Sequence, residues 1–302
     1  MKNLYHYTPM LILTMLASVV MVLVQLLVFC NTMVFDTDYY VWTISDSGSD
    51  TALYNELNAY FSQLSKATGV PQEVYTKSLT KESVSVAAKR LAKMSLDYTF
   101  GRSNAKPVVQ YDYTQFEKDV TDYIEKYSDA NNIEKDSEYY SFIDNTIYVA
   151  EKKMDATFDI MMTQQLAESS IPSVTRRLVS SLNILMGVGI LVLVGLICLM
   201  WYVDRHHPFD MPYWIGCILM CGSALLLIPT LYVRFTGYFD GLFMEEESVY
   251  YAITGALYGV TNRMILVNSI MFALGFVLLI FTQVIHVFRV KDAKASHDEN
   301  DE

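Results

Sequence analysis

Four long apolar runs constrain this chain more than any other feature. They are Pro9 to Phe35, Leu178 to Val203, Met211 to Val233 and Met264 to Val287, and none contains Asp, Glu, Lys or Arg. Roughly 20 apolar residues in a helix cross a hydrocarbon core of about 30 Å. Core helices of a water-soluble protein are usually shorter and carry a polar face. The expected fold class is therefore an all-α membrane protein. It has four transmembrane helices and an extracytoplasmic helical domain inserted between spans 1 and 2.

The first run is too long for the apolar segment of a signal peptide, and no small-x-small cleavage site follows it. Lipidation at Cys30 would place bulky Phe29 where a small residue is needed. An uncleaved anchor is expected, with Thr8 as N-cap and Pro9 as first helical residue.

Basic residues near the span ends set orientation. Lys2, Arg205, Arg289, Lys291 and Lys294 fall on one side, and Arg176, Arg177, Arg234 and Arg263 on the other. The C-terminal cluster, and Asp36 and Asp38 straight after the first span, favour both termini inside. The expected organisation starts with the N-terminus and first span in 1–35 and an extracytoplasmic helical domain in 36–177. Span 178–203, a cytoplasmic turn 204–210 and span 211–233 follow. An outer aromatic loop, an interfacial helix or an outward extension of the fourth span covers 234–263. The last span is 264–288, and 289–302 is a disordered cytoplasmic tail. The bilayer is the first partner, and a bacterial cytoplasmic membrane is the expected location.

The polar domain reads as helices. Leu53, Leu57, Tyr60 and Leu64 recur at helical spacing and stop at Gly69, with Pro71 beyond. Val84, Ala87, Leu91, Met94 and Tyr98 repeat the pattern up to Gly101. Thr114 and Glu117 fit a capping box, ahead of Phe116, Val120, Tyr123 and Tyr127. A fourth helical segment covers about Ser137 to Ser169, with Ile143, Ile147, Ala150, Met154, Phe158 and Met161 on one face. Pro172 marks a bend before the second span. Such stripes of Met and Tyr usually form a helix–helix core.

Net charge is −11, and 22 acids against 15 bases put −7 of it in 36–177. That balance argues against nucleic acid as a partner. The same segment holds no histidine and no cysteine, which removes a common general base and any internal disulfide.

"DRHHPFDMP", Asp204 to Pro212, is the stretch that most resembles a site. Adjacent His206 and His207 diverge in any regular structure, and Pro208 interrupts a helix. The stretch therefore reads as a short turn, with Asp210 as N-cap of the third span and Pro212 in its first turn. Cys198, Cys217 and Cys221 fall at similar depth on neighbouring spans. With His206 and His207 they are the only metal candidates, and buried cysteine more often serves as a small apolar residue. No phosphate loop, H-E-x-x-H, G-x-S-x-G or C-x-x-C is present. No catalytic residue and no cofactor are expected.

The segment Thr68-Gly69-Val70-Pro71-Gln72-Glu73-Val74-Tyr75, the helix after it and "YDYTQFEKDVTDYIEKY" resemble an uncharacterised family of multi-span membrane proteins from Gram-positive, gut-type bacteria. The resemblance covers residues 1 to 290 in layout and only these stretches in pattern. It implies a helical extracytoplasmic domain after the first span and carries over no functional residue.

The expected function is a non-enzymatic integral membrane protein. Residues 36–177 would engage an envelope protein partner or regulate one, and the spans would anchor the chain and support a homo-oligomer. A transporter or channel subunit is the first alternative. It requires a polar seam of Gln25, Asn268 and Gln283. A membrane enzyme or metal-binding protein using the inner Cys and His residues is the second.

Overall fold

The computed structural model of the chain describes residues 2–205 and 210–298, which include no strand. Eleven α-helices form the described chain. They are α1 (Lys2–Phe29), α2 (Thr37–Asp46), α3 (Ser49–Thr68), α4 (Gln72–Thr76), α5 (Lys81–Thr99), α6 (Thr114–Asn131), α7 (Ser137–Phe158), α8 (Thr163–Glu168), α9 (Ile171–Val203), α10 (Met211–Phe235) and α11 (Glu247–Asp298). A π-helical turn, Cys30–Val34, extends α1, and a 3-10 turn, Tyr238–Gly241, follows α10.

Four of these are long and apolar enough to cross a membrane, over Tyr7–Val34, Ile171–Val203, Met211–Phe235 and Glu247–Ile285. This is the architecture of a multi-pass membrane protein. Only 6 % of the α9 apolar window and 11 % of the α11 window are buried within the protein. Side chains such as Leu191 and Ile228 face outward. Apolar surface on that scale is unfavourable in water and matched by lipid.

The chain forms two compact units. The apolar unit comprises 1–34, 180–238 and 258–302. There α1 packs along α10, burying Met10, Ala17 and Met21 with Trp214 and Ile218. Two glycines sit close against a neighbouring helix, one facing backbone and one facing a side chain. A Cβ on Gly216 would lie 2.9 Å from the Gly275 carbonyl oxygen, and one on Gly222 would lie 3.2 Å from Met21 Sδ. Only glycine allows the first approach.

The polar unit comprises 35–179 and 239–257. Its centre is aromatic: Phe61 of α3 stacks on Tyr75 of α4 at 5.3 Å, and Phe116 of α6 lies against both. The Tyr75 hydroxyl is 2.8 Å from Thr68 Oγ1, so its polar end is satisfied inside the core. The helical stripes read from the sequence supply this core through Leu53, Leu57, Val84, Leu91, Val120, Ile143, Ala150, Met154 and Phe158. Two left-handed glycines, Gly69 (φ +76) and Gly101 (φ +77), follow α3 and α5. At Gly101 the side chain of Arg176 fills the space a Cβ would need. The Arg176 guanidinium donates to the Tyr98 carbonyl at 2.8 Å and lies over the Tyr98 ring.

Several expectations are corrected. Helix α1 starts at Lys2, so Thr8 is not its N-cap and Pro9 lies inside it. Thr114 is the first residue of α6, with Tyr113 at the cap position and no side-chain cap bond. Asp112 accepts the Thr114 N–H at 3.0 Å, which starts the helix one residue early. The real capping box is Thr80 with Ser83, where a hydroxyl replaces the usual Glu or Gln. The segment from Ser137 to Ser169 is not one helix: it breaks after Phe158, and Met162 turns left-handed at φ +48. Pro172 sits in the first turn of α9, where its missing N–H costs nothing.

Residues 247–263 take the last of the three expected forms, an extension of the fourth span, because α11 runs on through them. The stretch 289–298 is helical as well. It contains Lys and Ala and no Gly or Pro, so nothing in it stops α11. Two helices were absent from the sequence reading. One is α2, "TDYYVWTISD", rich in β-branched and aromatic residues of low helix propensity, and the other is the single-turn α4.

Candidate binding cleft

The helical period of α3 divides its residues between two tasks. Leu53, Leu57 and Phe61 enter the core, while Glu56, Tyr60 and Gln63 line a cleft on the other side. Helix α7 does the same: Ala150, Met154 and Phe158 are core, and Lys152, Lys153, Asp155 and Ala156 face the cleft. The loop Pro107–Val109 and residues 245–249 complete the walls. The cavity is about 1030 Å³, at the upper end of the usual range for ligand sites.

One wall is held by a carboxylate bridge. Glu56 accepts from the Ser248 backbone N–H and from the Ser248 hydroxyl, both at 2.8 Å. It satisfies donors at the start of α11 and complements the positive end of that helix. Ser49 donates to the Ser248 carbonyl at 2.7 Å, and the Tyr39 hydroxyl donates to the Ala256 carbonyl at 2.6 Å. Gly255 lets Ser47 come close enough to exclude any Cβ.

The lining carries six acids, Glu56, Asp155, Asp159 and Glu245 to Glu247, against two bases, Lys152 and Lys153. Lys153 lies over the Tyr60 ring at 5.6 Å. Asp155 accepts the Tyr113 hydroxyl at 2.6 Å. Burial, and then this carboxylate, hold the Tyr113 phenol well above its ordinary range. One turn earlier, the Glu151 carboxyl stands beside the Glu117 carboxyl of α6. Burial first, then that neighbour, push Glu151 up to about 7. The cleft thus offers the Tyr60 ring, carboxylates and a pair of ammonium groups.

The sequence candidates lie elsewhere. Cys198 and Cys221 are exposed and Cys217 half-buried on helices of the apolar unit. Among the described residues, no three His, Cys, Asp or Glu side chains are arranged to hold a metal ion. His206 and His207 lie outside the described residues. Asp210 stands at the N-cap position of α10, without a side-chain cap bond. Gln25 donates to Met271 Sδ at 2.8 Å and Asn268 to the Met264 carbonyl at 2.8 Å, and both are buried. Gln283 is exposed, unlike Gln25 and Asn268.

The sequence reading singles out none of Lys152, Lys153 and Glu56, and it assigns Tyr60 to the core stripe although that residue also lines the cleft. The cleft joins segments up to 192 positions apart, and no local signal marks such an encounter. Comparison with protein-family models, curated proteins and solved structures finds no match for the chain.

Proposed function

We propose that this chain is a non-enzymatic membrane protein whose polar helical unit is an interaction or regulatory module. It engages another component of a bacterial cell envelope. The observation that carries this reading is the cleft of about 1030 Å³, with Tyr60 and Val108 beside charges of both signs. Such a lining suits a protein or peptide segment better than a reaction centre. The packing of 239–257 with 35–179 supports placing both long connectors on one side of the membrane. The basic C-terminal cluster supports the extracytoplasmic side, with both termini cytoplasmic. The resemblance to membrane proteins of Gram-positive bacteria agrees with that location and assigns no residue.

A photoreactive amino acid at Val108, in the full chain in native membranes, tests the reading. We expect one discrete adduct that is lost in the Lys152→Glu/Lys153→Glu variant. The same probe at Val86, which is exposed on α5 outside the cleft, should capture nothing specific. Equal capture from both positions would remove the support for the cleft.

A further inference from the structure

A second cavity, of about 610 Å³, opens where the C-terminal end of α3 meets the later half of α6 and the start of α7. Its walls are aromatic, formed by Tyr123, Tyr127, Tyr139 and Phe142. The Tyr123 and Tyr127 rings lie 6.4 Å apart at 20°. Tyr127 and Phe142 stay exposed to solvent although they border an apolar hollow.

The charge at this cavity has one sign. Its ionisable lining residues other than tyrosine are Glu134, Asp136 and Glu138, with no Lys, Arg or His among them. Asp136 is occupied: its carboxylate accepts the Tyr139 N–H at 2.9 Å and caps α7. The neighbouring Lys135 pairs with Asp129 at 2.7 Å.

An independent observation comes from Tyr139. It is only 8 % exposed, and its hydroxyl is buried without a hydrogen-bond partner among the described residues. A buried hydroxyl left unmatched is costly, and tyrosine in such a position usually finds a partner. Tyr139 also lines the cavity; its unused oxygen is closed to solvent, so a bound group reaches it by displacing part of the wall.

We propose that this cavity binds an organic cation bearing N–H donors, an alkylammonium or guanidinium group. The aromatic faces, the Glu134 and Glu138 carboxylates and the Tyr139 hydroxyl oxygen would hold it. Aromatic faces attract a cation through their quadrupole, and the carboxylates add Coulomb attraction. The Tyr139 oxygen then accepts an N–H, which a quaternary ammonium cannot supply. The cation is either a free polyamine or a basic side chain of a peptide. The volume accommodates both, and the inference stands independently of the larger cleft.

Calorimetric titration of the purified full-length chain in detergent tests this. The probes are spermidine, acetyl-lysine amide, tetramethylammonium and uncharged acetyl-norleucine amide. We expect saturable one-to-one binding of spermidine or acetyl-lysine amide, with none for acetyl-norleucine amide. Tyr139→Phe should weaken it about 10-fold, the ratio expected for one hydrogen bond to a charged group. Glu134→Gln/Glu138→Gln should weaken it as well. Both changes keep the side-chain shapes on which α7 packs. Saturation by spermidine alone assigns a free amine, and saturation by acetyl-lysine amide alone assigns a side chain. Tetramethylammonium should bind more weakly and be indifferent to Tyr139→Phe. Absence of saturable binding by both N–H cations, or affinities unchanged in both variants, would overturn the proposal.

Discussion

Glu151 of α7 stands beside the Glu117 carboxyl of α6, and burial together with that neighbour makes ionising Glu151 costly. Glu151 has a folded pKa of about 7, above its ordinary 4.5. Its contribution to stability is therefore fully present below pH 4.5 and is lost as the pH rises through 7. After allowance for solvent screening, the loss is about 1 kcal/mol. Hydrogen exchange at the α6 and α7 amides, compared between wild type and Glu151→Gln at each pH, checks it. Protection of the wild type should fall relative to the variant between pH 5 and pH 8, following the interval of about 4.5 to 7. Parallel curves would show that the pair does not titrate there. At this scale the sequence is least informative. Glu151 reads as one acid among the 22 of residues 36–177, and only its contact with a residue of another helix distinguishes it.

Helices are the scale at which sequence reading works best, and its failures have local causes. The spacing of Leu53, Leu57 and Leu64, and of Val84 and Leu91, matches the buried faces of α3 and α5, because a 3.6-residue period is a property of the chain alone. Helix ends are harder to read. The cap chemistry at Thr80 uses Ser83, and α6 starts early because Asp112 accepts the Thr114 N–H. The glycines of the spans look alike in sequence but differ in use. Gly195 has open space around it, whereas a Cβ on Gly275 would lie 2.8 Å from the Gly216 carbonyl oxygen and 2.9 Å from the Met220 backbone nitrogen. Those obstacles are backbone and cannot swing away. Gly275→Val should therefore cost roughly 1–3 kcal/mol by overpacking α10 against α11, and Gly195→Val almost nothing. Detergent-induced unfolding of the purified chain measures both, and equal effects would refute the asymmetry.

At the scale of the whole molecule, the polar unit takes in 239–257 as well as 35–179, and Glu56 is one of the bonds that hold the two segments together. A side chain of α3 replaces the missing hydrogen-bond acceptors at the start of α11, 192 positions away. Glu56→Ala should loosen the first turns of α11 by about 1–2 kcal/mol, as loss of a helix cap does. Hydrogen exchange at the amides of 248–252 should then accelerate about 10-fold, while α6 keeps its protection. The same change removes one acid from the cleft wall, so it also separates the support of that wall from its chemistry. If exchange at 248–252 is unchanged, Glu56 is not what secures this end of α11.

The sequence by itself determined the class of the molecule. Membrane-crossing capacity depends on length and on the absence of charge, and both are properties of consecutive residues. The helical stripes of the polar unit belong to the same kind of information. Tertiary structure alone decided that 239–257 joins that unit and that Glu56 meets Ser248. It also decided that Lys153 lies over Tyr60, and that the Tyr139 hydroxyl is left buried without a hydrogen-bond partner among the described residues. Each of these is an encounter between separate elements, set by which helix faces are buried together. A periodic pattern states that a face will be buried, but not which other face it will meet.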